Sequence, residues 1–287
     1  VEGLLPTRNF QRGSFEGAAA LGDEAQRAKY WDKDTACAAC PIACTKDGSI
    51  KEGEHAGLKG DALEYESAAM LGSNLEVGDT IDAVCLGLLC DKLGLDTISA
   101  GAVLSFACEA VERGVLDADV RFGDAKSLSS LLLDIAHRYG AGDLLAEGVR
   151  AVAEKLGGDA PNFAIHVKGL ELPAWGPRGA PGMGLAYMTA DRGGCHQRAF
   201  PILYEVGGET WKGQTYERLA LEGKAQLLAE VQNKLAGLDT MTTCDFARYG
   251  ITEEQYLDLF AAATGRRMEL DELYQLGERI WNLTRLF

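Results

Sequence analysis

The chain has 287 residues, 47% of them hydrophobic, enough to bury a sizeable core in one large domain or two modest ones. Its formal net charge of −15 and pI near 4.7 argue against nucleic-acid phosphates or anionic membranes as partners, because such a surface repels them. No apolar run is long enough to span a bilayer and the N-terminus lacks a basic-then-apolar signal layout, so a cytoplasmic location is expected.

Residues 1 to 35 form an entry segment with a helical run from Ala18 to Tyr30. There follows Cys37-Ala38-Ala39-Cys40-Pro41-Ile42-Ala43-Cys44, three of the eight cysteines, spaced C-x2-C-x3-C. Three sulfur donors at one point suit a soft metal or an iron–sulfur cluster, and a zinc site would normally bring a second paired motif. A [4Fe-4S] cluster needs a fourth thiolate. Cys85 and Cys108 lie in apolar helical runs and read as small buried hydrophobes, whereas Cys195 and Cys244 lie in irregular polar surroundings between which spacing does not choose.

A turn-rich connector from Ser49 to Gly60 leads to a helix start at Glu64-Tyr65-Glu66-Ser67. Glu66 can be a carboxylate base or merely an acid favouring the helix N-terminus. Ile81, Val84, Cys85, Leu88 and Leu89 follow helical spacing with one buried stripe. At about 100° per residue, Asp91 falls roughly 20° from Val84 and is expected to border that stripe. Further helices are predicted over 97–113, 127–139 and 143–156, each stopping at glycine. Asn162 to Lys168 is the best strand candidate.

Lys168 to His196 holds seven glycines, three prolines and two arginines in 29 residues, a set of loops whose Arg178 and Arg192 could meet an anion. A short helix is predicted around 185–190. His55 and His137 read as loop and helix-surface residues and His166 as a strand residue, while His196, beside Cys195, reads as a site residue. The tail returns to helices over 216–235, 252–263 with a capping box at Thr252 and Gln255, and 270–283. The expected fold is all-α (predominantly helical), with two helical domains, 1–166 and 167–287, and a glycine-rich loop region between them.

The ordered segments LPTRNF (5–10), CAACPIAC (37–44), EYES (64–67), CDKLGLDTIS (90–99), KGLELPAWGPRG (168–179), GLAYMTADRGGCH (184–196) and GERIWNLTRLF (277–287) resemble the C-terminal helical domains of the tungsten-dependent aldehyde:ferredoxin oxidoreductase family. The resemblance covers essentially the whole chain. It implies a tungsten (or molybdenum) bispterin beside a [4Fe-4S] cluster, with Cys37, Cys40, Cys44 and Cys244 as cluster ligands. It also implies pterin binding by the intact D-x-x-G-L-D motif, Asp91, Gly94, Leu95 and Asp96, and by Asp239 of a D-x-x-G-L-C motif. Here that second motif reads Asp239-Thr-Met-Thr-Thr-Cys244, with Thr-Thr in place of Gly-Leu. Arg178 is assigned to the anionic cofactor.

Glu66 and His196 match the family's residues near the metal, with Tyr65 and Trp175 as pocket walls, Trp175 standing where the family often has Tyr. The implied reaction oxidises an aldehyde to a carboxylic acid and passes electrons to ferredoxin. Nothing in the chain corresponds to the family's N-terminal pterin-base domain, so a missing domain in the same or a separate chain is expected. Two other readings stand beside this one: an iron–sulfur electron-transfer or partner-binding module without chemistry, and a relative acting on another substrate such as an aromatic acyl-CoA.

Overall fold

A computed structural model of the chain describes residues 3–287. Two units are distinguished, one of Val1–Ala38, Ala43–Gly179 and Arg192–Gly194, the other of Ala39–Ile42, Ala180–Asp191 and Cys195–Phe287.

The first unit contains α1 (Asp23–Lys29), β1 (Trp31–Thr35), β2 (Thr45–Ser49), β3 (Lys59–Asp61), α2 (Tyr65–Leu71), α3 (Thr80–Leu93), α4 (Thr97–Glu112), α5 (Ala125–His137), α6 (Ala141–Leu145), α7 (Val149–Leu156), β4 (His166–Val167) and β5 (Leu170–Glu171). Its centre is α4, in which every residue from Ala100 to Ala110 is buried. Around it lie Leu86 of α3, Leu128 and Leu132 of α5, Val152 of α7, and Phe163, which stacks on Phe106 at 5.1 Å. At Gly101 a Cβ would stand 2.5 Å from the Met70 carbonyl oxygen, so the missing side chain is what lets α2 lie against α4.

The α3 helix is buried on two sides, not one. Val84 and Leu88 pack against Tyr30, Ile50 and Ala62, while Ala83, Leu86 and Cys90 enter the main core. Asp91, expected beside the stripe, is exposed, because the cover over Val84 and Leu88 does not continue to the helix's last turn.

The fold is mostly helical but not all-α. The strands β1, β2 and β3 form an antiparallel sheet in that order, and β4 pairs with β5. The sequences WDKDT, TKDGS and KGD carry no hydrophobic alternation, which hid them. Their outer face is held by charges instead: Lys33 reaches Asp47 at 3.4 Å across the β1–β2 pair, and Lys51 bonds Asp32. The helix predicted over 143–156 is two helices, since Gly148 turns to φ 84 and the Val149 N–H donates to Glu171 Oε1 at 2.9 Å. The expected strand over 162–168 shrinks to His166–Val167.

The second unit contains α8 (Pro181–Thr189), α9 (Ile202–Glu205), α10 (Lys224–Asp239), α11 (Glu253–Thr264) and α12 (Leu270–Thr284). The expected helix over 216–235 begins later, at Lys224, after Gly223 in a left-handed conformation. α10 and α12 are joined by the Trp281 indole N–H, which donates to the Gln232 carbonyl at 2.9 Å. The predicted capping box forms: the Gln255 N–H donates to Thr252 Oγ1 at 3.3 Å, and the Thr252 N–H to Gln255 Oε1 at 2.8 Å. Among the described residues, no helix is long and apolar enough to cross a membrane.

Candidate active site

Glu66 lies in the first turn of α2, behind Glu64 in extended conformation. Ser67 Oγ and Thr97 Oγ1, 2.8 Å apart, tie the starts of α2 and α4 together. The Glu66 carboxylate faces the KGLELPAWGPRG segment, where Oε2 accepts the Ala174 N–H at 2.7 Å. The carbonyl of the same Ala174 accepts the Tyr65 hydroxyl at 3.1 Å, so adjacent side chains of α2 grip one residue from both ends. The Tyr65 and Trp175 rings lie 4.3 Å apart, tilted by 31°. Tyr65, Glu66 and Trp175 are therefore brought together.

Burial dominates the electrostatics there. It pushes the Glu66 carboxyl up to about 7, with Asp96 adding to the rise; the hydrogen bonds from Ala174 and Trp175 only partly oppose it. Burial, and then the Glu66 charge, also raises the Tyr65 phenol, so it stays a hydrogen-bond donor. A carboxyl titrating near neutrality can both take up and release a proton at working pH.

The Asp91–Asp96 motif is a helix–turn–helix joint. Gly94 stops α3 at φ 69, the Leu95 N–H donates to the Cys90 carbonyl at 2.9 Å, and Asp96 Oδ2 caps α4 by accepting the Ser99 N–H at 2.9 Å. Asp96 therefore has a structural task, while exposed Asp91, raised by partial burial and by Asp61, remains turned to solvent. Arg178 is committed in part: its guanidinium donates to the carbonyls of Phe10 at 2.7 Å and Gln11 at 3.3 Å, clasping the LPTRNF segment.

The cysteine motif forms the connection between β1 and β2, so an antiparallel hairpin presents it. Cys37 is exposed, and Cys40 and Cys44 are half-buried. Ala39 and Ala43 both take left-handed backbone, at φ 61 and φ 51. Cys244 is exposed in the second unit, just before the 3-10 turn Asp245–Tyr249. Among the described residues, no cysteine is in a disulfide. Cys90, Cys108 and Cys195 are buried; burial holds the thiols of Cys90 and Cys108 at about 12 and that of half-buried Cys85 at about 11, the wrong direction for a thiolate ligand. Among the described residues, no three or more His, Cys, Asp or Glu side chains are close enough to hold a metal ion.

In the second unit, His196 Nε2 lies 2.9 Å from Gln197 Nε2. An amide nitrogen only donates, so this contact is a hydrogen bond in the tautomer that leaves Nε2 unprotonated. The ring meets Phe200 edge-on at 6.1 Å. Asp239 pairs with Arg198 at 3.1 Å, and Arg198 also reaches Asp191 at 3.1 Å. Even so, burial and Asp245 leave the Asp239 carboxyl above its ordinary range. Thr242, where the related motif has Gly, keeps the left-handed backbone, φ 55.

Sequence reasoning missed Ala174, a backbone partner that has no side-chain signal, and Glu171, which caps α7 and accepts Ser99 Oγ at 3.0 Å. It also missed Arg198, whose position two residues after His196 was the available hint.

The first unit thus sets a carboxyl raised toward neutrality on a mainly helical scaffold. The chain belongs to the aldehyde ferredoxin oxidoreductase family: the model for aldehyde ferredoxin oxidoreductase, domains 2 and 3, matches residues 1–287. This is a family of oxidoreductase enzymes. The chain is 39% identical to the tungsten-containing aldehyde ferredoxin oxidoreductase of Thermococcus kodakarensis, over 99% of this chain and 47% of that protein. It is 38% identical to that of Pyrococcus furiosus, with the same coverage. The chain thus spans about half the length of these relatives. A solved active-site complex of benzoyl coenzyme A reductase shares the fold, with a TM-score of 0.73 at 19% identity, over 99% of this chain and 49% of that one.

Proposed function

We propose that the chain is the part of a tungsten (or molybdenum) bispterin oxidoreductase that oxidises an aldehyde to a carboxylic acid and delivers the electrons to ferredoxin. The observation that carries this reading is Glu66, a carboxyl held near neutrality and fixed on Ala174 beside an aromatic pair. Oxidation of an aldehyde removes two electrons and takes an oxygen from water, so a base must accept a proton from water or from the aldehyde hydrate. Glu66 serves as that base, with Tyr65 fixing the Ala174 peptide that orients it. His196 supplies a hydrogen bond to the substrate or to an oxygen near the metal.

The thiols fit a cluster by their chemistry: Cys37 and Cys244 are free and exposed and Cys40 and Cys44 free and half-buried, whereas Cys90, Cys108 and Cys195 are buried. When bound, the bispterin metal would supply the two-electron acceptor and the cluster the one-electron outlet. Asp91 and Asp239 can accept paired N–H groups from a pterin edge, Arg178 offers a guanidinium beside Phe10 and Gln11, and the Gly94–Asp96 joint sets the position of Asp91.

The test uses the full-length enzyme that contains this chain. Glu66→Gln should keep iron and tungsten and lose aldehyde oxidation by at least about a hundredfold; full turnover with metals retained would remove the base assignment. Cys244→Ala should lose the cluster's EPR signal and iron. Turnover of an aromatic acyl-CoA in place of aldehydes would move the enzyme to another substrate class, and four irons with no tungsten and no turnover would leave an electron-transfer module.

A further inference from the structure

We propose that the second unit binds a small organic carboxylate in the cavity where Arg248 lies among Phe200, Leu203, Tyr204, Val231 and Tyr249. The cavity measures about 260 Å³, room for a single-ring ligand. Arg248 stands on the 3-10 turn Asp245–Tyr249, and its Nε is buried without a hydrogen-bond acceptor among the described residues. A buried guanidinium N–H without an acceptor is uncommon, and Arg248 meets Asp239 only through charge, with no hydrogen bond to Nε. Asp239 is paired with Arg198 at 3.1 Å, and Glu209, which also lines the cavity, is exposed and gives Nε no bond. Lys234 adds a second positive charge to the wall; it pairs with Glu253 and lies 5.3 Å over the Trp211 ring.

The chemistry selects the ligand. A guanidinium fork matches the two oxygens of a carboxylate, and the apolar walls suit a ring or short chain behind it. A phosphate dianion would need more donors than one guanidinium supplies, with Glu209 in the same wall. Phe200 lines the cavity and also meets the His196 ring at 6.1 Å, so the site shares a wall with a candidate catalytic residue without containing it. The proposal stands on the cavity and Arg248 alone and does not rest on the redox reading above.

Calorimetric titration of the full-length protein with benzoate tests it, with benzamide as the uncharged isostere and inorganic phosphate as competitor. Benzoate should bind saturably, benzamide and the Arg248→Gln protein at least about tenfold more weakly, and phosphate should not displace it. No benzoate binding, equal binding of benzamide, or displacement by phosphate would overturn the site. If Arg248→Gln fails to give a native melting curve, Leu235→Phe fills the cavity from its apolar side and must weaken benzoate to a similar degree; unchanged affinity there also overturns it.

Discussion

Glu205, fully buried, and Glu66, half-buried, are carboxylates of the two units whose partners differ in charge. Glu205 Oε1 accepts both the Gly182 N–H at 2.8 Å and the Lys224 ammonium, and the two charged side chains are almost wholly buried. Lys224 also donates to the Arg218 carbonyl at 2.9 Å. This pair pins the N-terminus of α8 to α10. Glu66, by contrast, is held by the Ala174 N–H and by Trp175, uncharged donors, while Asp96 opposes its charge. A buried carboxylate with a countercharge at hydrogen-bond distance is a structural tie, whereas burial that outweighs peptide and indole donors raises the Glu66 carboxyl toward neutrality.

Removing the countercharge should have the largest effect. Lys224→Met leaves Glu205 buried beside its remaining N–H donor and should cost about 3–5 kcal/mol in urea unfolding. Adding Glu205→Leu should recover most of that loss; a double variant no better than the single one would break the comparison. The converse test is Glu66→Gln. The folded carboxyl, raised to about 7 from an ordinary 4.5, holds its proton where the unfolded chain has lost it. Stability is therefore fully present below the unfolded value and falls as pH rises toward 7. The cost at pH 8 is on the order of 3 kcal/mol, which Glu66→Gln should relieve. Equal pH profiles for the two proteins would show that Glu66 is no better isolated than a surface acid.

A smaller contrast lies between the two aspartate loops. Gly94 adopts φ 69 at no steric cost, whereas Thr242 takes φ 55 with a branched side chain. Thr242→Gly should stabilise the second unit by about 1 kcal/mol in thermal unfolding, and Gly94→Thr should destabilise the first by a similar amount. If Thr242→Gly is neutral, the left-handed turn before Cys244 is not strained.

Much of the helical framework was legible because its signals are local. α3 and α4 follow from apolar spacing and the Gly94 stop, α11 from its capping box, α12 from its periodicity. The hairpin that carries the cysteines was not legible, because its strands are polar and paired through charges. The split of α6 from α7 was hidden for another reason: the carboxylate that caps α7 comes from Glu171, 22 residues on.

The sequence by itself determined the family and the helix boundaries near good caps, and it nominated Glu66 in the first unit, His196 in the second, and the aspartates and thiols of the motifs. Tertiary structure decided what those residues experience. The Ala174 N–H that holds Glu66 comes from 108 positions away, and the burial that moves its carboxyl comes from packing that no neighbouring residue encodes. The same holds for Asp91, which helical geometry turned inward and the end of its cover left exposed. Local propensity fixes where a side chain starts, but its ionisation depends on water exclusion and on dipoles brought in by distant chain, and those exist only once the fold has closed.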